Sequence, residues 1–155
     1  MKRLFLTTAL FTTLFFGIQA QSNMFQRLGN NKDVSVVYIS KALLSLAGSI
    51  PIGDADISGL MDKLEGIEIY SSETPAAIKF IKSEFNKLTT EKSELEVLMK
   101  AKEGEQHFDF FARKGKDGKI LELVMFSDEP NECSVIRISG HFAMEDIEKI
   151  TKKMK

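Results

Sequence analysis

The chain has 155 residues and a formal net charge of −1, with 21 Lys and Arg against 22 Asp and Glu. That balance leaves no basic field to hold a phosphate backbone, so nucleic acid is not an expected partner. The one cysteine, Cys133, excludes an intramolecular disulfide, and the fold must stand on packing.

Lys2 and Arg3 precede an uncharged run over residues 4–18 (LFLTTALFTTLFFGI), which Gln19-Ala20-Gln21 closes on a small residue. A positive start, an apolar middle and a small-residue exit identify residues 1–20 as a signal peptide, cleaved after Ala20. The run is shorter than the ~20 apolar residues of a spanning helix, and it contains Thr7, Thr8, Thr12 and Thr13. No stable transmembrane segment is therefore expected after cleavage. An N-terminal lipid anchor would need a cysteine directly after the run, so a lipoprotein is not expected either. The expected product is periplasmic or secreted. Losing Lys2 and Arg3 takes the basic count from 21 to 19 against 22 acidic residues, a net charge of −3.

Residues 21–31 (QSNMFQRLGNN) are polar with turn residues and read as a flexible lead-in to a single domain over residues 32–155. Over residues 32–50, Val36, Ile39, Leu43, Leu46, Ala47 and Ile50 recur at helical steps, ended by Gly48 and Pro51. The β-branched start of that stretch leaves an extended conformation open for residues 34–38. A loop over residues 51–58 precedes a short helical turn carrying Ile57, Leu60, Met61 and Leu64.

Residues 67–71 (IEIYS) alternate as a strand. Thr74 as N-cap and Pro75 at the first helical position then open a helix to about Leu88. Ala77, Ile81, Phe85 and Leu88 form its buried stripe, with Lys79, Lys82 and Glu84 off it.

The period then changes to that of strands, at 95–101, 105–113, 119–127 and 133–139. Short connections with Gly104, Gly118 or Pro130-Asn131 imply antiparallel neighbours and a meander. The third of these strands is apolar on both faces and is expected to be central. A helix over residues 143–154 closes the chain, with Met144, Ile147, Ile150 and Met154 on one side. The expected fold is α+β. A four- to five-stranded antiparallel sheet carries helices from 32–50, 75–88 and 143–154 on one face.

Four stretches carry a family resemblance: VVYISKALL at 36–44, LEGIEIYSS at 64–72, ELEVLMKAKEGEQHFDFFARK at 94–114 and ILELVMFSDEPNECSVIRISGHFAMEDIEKI at 120–150. In this order they resemble the bacterial domain-of-unknown-function family 4252 over about residues 30–154. The resemblance implies a small exported or envelope protein and supplies no catalytic residues.

His107 and Asp109 share one strand face with Glu105 and Phe111, where a carboxylate can orient a general base. Arg113 is an equally good partner for Asp109, and no nucleophile lies near. His141 follows Gly140 at the last strand–helix junction. Neither Glu103, Glu105 and His107 nor Asp54 and Asp56 has the spacing of a metal site, so no metal and no cofactor is expected. Cys133, at a strand start, reads as a small buried residue.

Phe108, Phe110, Phe111 and Phe126 fall in the sheet and would line an apolar groove if a sheet face is only partly covered. Two function classes follow. The first is a non-enzymatic envelope module binding a protein, peptide or lipid through a sheet face or edge. The alternative is a small hydrolase or metal-dependent enzyme using His107, Asp109 or His141.

Overall fold

The computed structural model describes residues 19–47, 51–52, 55–56, 58–90 and 94–153. The expected leader up to residue 18, together with Gly48, Ile50, Asp54, Ile57 and Met154, lies outside them. The chain opens with helix α1 (Gln19–Asn30), strand β1 (Ser35–Ser40) and helix α2 (Lys41–Ala47). A two-residue ladder follows, β2 (Pro51–Ile52) with β3 (Ala55–Asp56), and then a 3-10 turn over Ser58–Lys63. β4 (Leu64–Ser72) leads into α3 (Pro75–Thr90). The meander is β5 (Leu95–Glu103), β6 (Gln106–Lys114), β7 (Ile120–Asp128) and β8 (Cys133–Phe142), and α4 (Met144–Lys153) ends the described chain.

Among the described residues the main sheet has six antiparallel strands in the order β1-β4-β8-β7-β6-β5. The class is the expected α+β, with one or two more strands than expected. β7 is central, because its Leu123 and Val124 are buried on opposite faces. The strand expected at 67–71 is the middle of β4, which joins the meander beside β8. Glycine closes two of the hairpins: Gly104 (φ +60°) and Gly118 (φ +77°) take the left-handed conformation that side chains resist.

β1 corrects the helix expected over residues 32–50. A strand followed by a short helix places Val36, Ile39 and Leu43 at steps that mimic one helical stripe. The β-branched run SVVYI pairs residue by residue with β4, from Ser35 against Ser71 to Ser40 against Gly66.

The expected lead-in is also structured. In α1, Met24, Phe25 and Leu28 are buried beneath α3, so this segment contributes to the core. Glu84 of α3, off the expected buried stripe, is nonetheless buried at that junction. Arg27 of α1 donates to it at 2.6 Å and Lys87 at 2.9 Å. Burial alone would raise the Glu84 pKa. The two hydrogen bonds and the charges behind them outweigh it and hold the carboxyl below its ordinary value. Thr74 takes the expected N-cap position of α3: its carbonyl accepts from the Ile78 amide at 2.9 Å, while its hydroxyl meets that of Ser72 at 3.1 Å.

Helices pack on both faces of the sheet rather than on one. Alternation along each strand separates two cores. On the first face, α1 and α3 cover Tyr70, Phe111, Val124, Phe126, Cys133 and Val135. On the second, Leu44 of α2, Leu60 of the 3-10 turn and Ile147 of α4 pack with Ile67, Ala112, Leu123, Ile138 and Phe142. α4 is fixed by Asp146, whose carboxylate accepts from the Ala143 amide at 2.9 Å and from Lys63 at 2.6 Å. Its stripe is narrower than expected, with Ile147 buried and Met144 exposed. Among the described residues no helix is long and apolar enough to cross a membrane.

Candidate functional site: a half-covered sheet face and its uncharged edge

The two histidines do not converge. His107 stands on the rung of Asp128, which pairs in turn with Cys133 at the start of β8. His141 lies eight residues further along β8, about 26 Å away at the rise of a strand. Both rings are exposed, and His141 Nδ1 sits 3.2 Å from Glu65. Asp109 lies on the His107 face as expected, 3.9 Å from Lys100. Arg113 turns to Glu122 instead of Asp109. Glu105 belongs to the β5–β6 turn. A shallow concavity of about 330 Å³ lies between the start of α3 and the β7–β8 connection, lined by Pro75, Ile78, Lys79, Lys82 and Pro130 among others. His107, Asp109, His141 and the four sheet phenylalanines do not line it. Among the described residues, no group of three His, Cys, Asp or Glu is placed to hold a metal ion.

Three of the four phenylalanines expected to line a groove are core. Phe126 stacks on Phe85 of α3 with centroids 4.2 Å apart, and Phe111 meets the same ring edge-on at 5.5 Å. Phe110 is buried on the opposite face. Phe108, half-buried beside it, borders the surface that is open.

That surface is assembled by register. On the second face one rung runs Val37, Ile69, Ile136, Met125, Phe110, Met99 across all six strands. All six are apolar, and Ile69, Ile136, Met125 and Met99 are only partly buried. The rung beyond it, away from the buried core of that face, runs Ser35, Ser71, Ser134, Ser127, Phe108, Ala101. An apolar row bordered by hydroxyls therefore crosses the sheet where the helix-covered half ends.

The row finishes on β1, a sheet edge. β1 reads SVVYIS, without charge, proline or register shift, and Val36, Val37 and Tyr38 are 43%, 48% and 64% exposed. The other edge, β5, carries Glu96, Lys100, Lys102 and Glu103 and an irregularity between Val97 and Met99. Charges and bulges are what keep an edge from pairing with foreign strands, and β1 lacks both. The Tyr38 ring lies over Gly66, where a Cβ would come within 3.3 Å of it. The exposed Leu43 and Leu46 of α2 extend the apolar surface past the end of β1.

The first face carries a charged cluster that the sequence reading did not find. Glu122, fully enclosed, accepts from Arg113 and from Arg137, and Arg137 also donates to Glu68 at 3.1 Å. The Arg137 guanidinium lies 4.6 Å from the Phe25 ring centroid, tying α1 to the sheet. Burial works against its charge, but Glu122 and Glu68 outweigh burial and raise its pKa. Two carboxylates match two guanidiniums, so the cluster is internally neutralised and serves to dock α1. The signal for it was a Glu inside an otherwise apolar central strand, ILELVMF.

Comparison with known sequences gives the same picture of a family without an assigned activity. No curated protein and no solved structure matches the chain. The family model described as Domain of unknown function (DUF4252) matches residues 25–150, from Phe25 in α1 through all six strands of the sheet into α4. The chain belongs to the DUF4252 family.

Proposed function

We propose that this chain is an exported, non-enzymatic binding module that takes a protein or peptide partner on the half-covered sheet face ending at β1. The observation that carries the reading is the apolar row from Met99 to Val37, running out onto an edge strand without charge. A polypeptide can satisfy both parts of such a surface, with main-chain hydrogen bonds to the edge and apolar side chains on the row. A lipid satisfies only the second. The distance between His107 and His141 supports a reading that routes no chemistry through them. Residues 1–20 are the export signal in this reading, and the partner is met in the periplasm or outside the cell.

Capture from the envelope fraction tests the surface, with wild type compared against Val37→Lys. Loss of captured protein in the variant is the expected result. Equal capture by both proteins, or capture only of vesicles of extracted lipid, would defeat the reading. Export is tested separately by intact mass: a recovered species that retains residues 1–20 contradicts cleavage after Ala20.

A further inference from the structure

We infer that Met99 and Met125 form a methionine-oxidation site, where a hydroperoxide turns two thioethers of the apolar row into sulfoxides and closes the row to its partner. This inference rests on the reading above, because it assigns a regulation to the same surface.

The second face keeps its sulfur away from its deep core. The rung that the helices cover runs Ile39, Ile67, Ile138, Leu123, Ala112 and carries none. The next rung, where the cover ends, holds two thioethers on either side of Phe110: Met125 on β7 and Met99 on β5. Neighbouring strands stand about 4.8 Å apart, so the two lie roughly 10 Å from one another. Both are partly exposed. Met24, by contrast, is 1% exposed in the core of the first face. The other methionines among the described residues, Met61 and Met144, belong to the 3-10 turn and to α4, not to the row.

Position decides what oxidation does. A hydroperoxide gives its terminal oxygen to Sδ: an S–O bond forms, the O–O bond breaks, and the proton moves to the oxygen that leaves as water or an alcohol. The sulfur loses two electrons and the peroxide gains two. At Met99 and Met125 the new acceptor oxygen is solvated while the surface is free, so the fold stands. Once a partner lies on the row, the same oxygen is enclosed among Ile136, Phe110 and the partner's apolar side chains and loses its water. Oxidation there weakens binding without unfolding the protein. A dithiol-dependent sulfoxide reductase reverses it, returning the thioether and releasing water as the dithiol becomes a disulfide.

Purified wild type is exposed to dilute hydrogen peroxide, and catalase removes the peroxide before the envelope fraction is added. Peptide mass spectra should show one added oxygen on Met99 and on Met125 and none on Met24. The urea midpoint should keep its untreated value. Capture should fall roughly tenfold, about the cost of one polar group enclosed without its water. Sulfoxide reductases with dithiothreitol should restore it. Met99→Leu combined with Met125→Leu keeps apolar side chains of similar volume, so this variant should capture like wild type and continue to do so after peroxide.

Undiminished capture by oxidised wild type overturns the inference. An equal loss in the peroxide-treated double variant does so too, since the effect would then lie outside the row. A lowered urea midpoint with oxidation of Met24 also overturns it, because unfolding would explain the loss. If the double variant captures nothing even before peroxide, the reductases decide: oxidised wild type that they do not rescue sinks the inference. The binding reading is judged on untreated protein. If wild type and Val37→Lys capture alike, that reading fails and takes the inference with it. If capture depends on Val37 and survives peroxide, the inference alone fails.

Discussion

Arg113 delivers two hydrogen bonds to the same oxygen of Glu122, from Nε at 3.0 Å and Nη2 at 2.8 Å, while Arg137 occupies the other oxygen at 2.9 Å. Glu122 is thus fully used, in the middle of the sheet and beneath the α1 side of the core. Removing it leaves the partly buried Arg113 guanidinium without its carboxylate and Arg137 with Glu68 alone. Glu122→Leu should cost about 3 kcal/mol, the lower end for breaking a buried pair, because both arginines keep some solvent contact. Urea denaturation measures this. Replacing Arg113 alone by Met in the same background should recover a large part of the loss, since Arg137 keeps Glu68 and its place over the Phe25 ring. No recovery would mean that packing, not stranded charge, dominates there.

Gly140 illustrates a close approach rather than an unusual backbone angle. A Cβ at this position would run into the Lys63 carbonyl and the Phe142 ring. Neither can retreat easily, because one is backbone and the other is fully buried. Gly140→Ala should cost about 1–3 kcal/mol as overpacking. Gly104→Ala offers a control of the opposite kind: open space surrounds the Cβ, and only the positive φ is strained. Its loss should be about 1 kcal/mol and confined to the hairpin. Equal urea midpoints for Gly140→Ala and wild type would show that the junction between the 3-10 turn and β8 yields.

Much of the fold was legible because its signals are local. Alternation over residues 95–139, glycine at the two turns and the Thr74-Pro75 start of α3 each depend on a few neighbouring residues. What misled was a signal whose meaning depends on distant parts. Val36, Ile39 and Leu43 fit a helical period because a strand runs directly into a helix, and periodicity alone does not separate the two. Glu84 falls off the apolar stripe of α3, and its burial was hidden because its partner, Arg27, sits on a helix that the sequence did not reveal.

α1 itself is the clearest such case. QAQSNMFQRLGN is too short and too polar to hold a helix in isolation, and its stability comes from docking. Leu28 is fully buried in the core under α3. Leu28→Ala should therefore cost about 2–5 kcal/mol, the range for a large-to-small change in a packed core. A flexible lead-in would predict no change in the urea midpoint, so the two views differ by the whole effect.

The candidate surface was legible only in part. Phe108 was marked as a groove residue and does border the open half-face. Phe111 and Phe126 were marked with it and are covered by Phe85, because the alternation of one strand does not say which face a helix will choose. The apolar row depends on six registers at once. Ile69, Ile136 and Met125 lie far apart in the chain, and each looks like an ordinary core residue in its own strand.

Cys133 provides a probe of whether the edge variants disturb anything beyond the edge. The thiol is fully buried, and burial, with a lesser contribution from the Asp128 charge against that of Lys82, pushes it up to about 12 from 9.0. A raised folded-state pKa favours the neutral thiol. Its contribution to stability is intact below the unfolded value and is lost as pH climbs from about 9 towards about 12. Near pH 8 the native thiol should resist an aromatic disulfide reagent and react at once in denaturant, because the thiolate is the nucleophile. Val37→Lys should show the same protection as wild type. Fast labelling of native wild type would refute the buried placement. Fast labelling of the variant alone would mean that its loss of capture reflects a loosened sheet rather than a blocked edge. With equal protection in the two proteins, an effect of Val37→Lys on association belongs to the β1 edge itself.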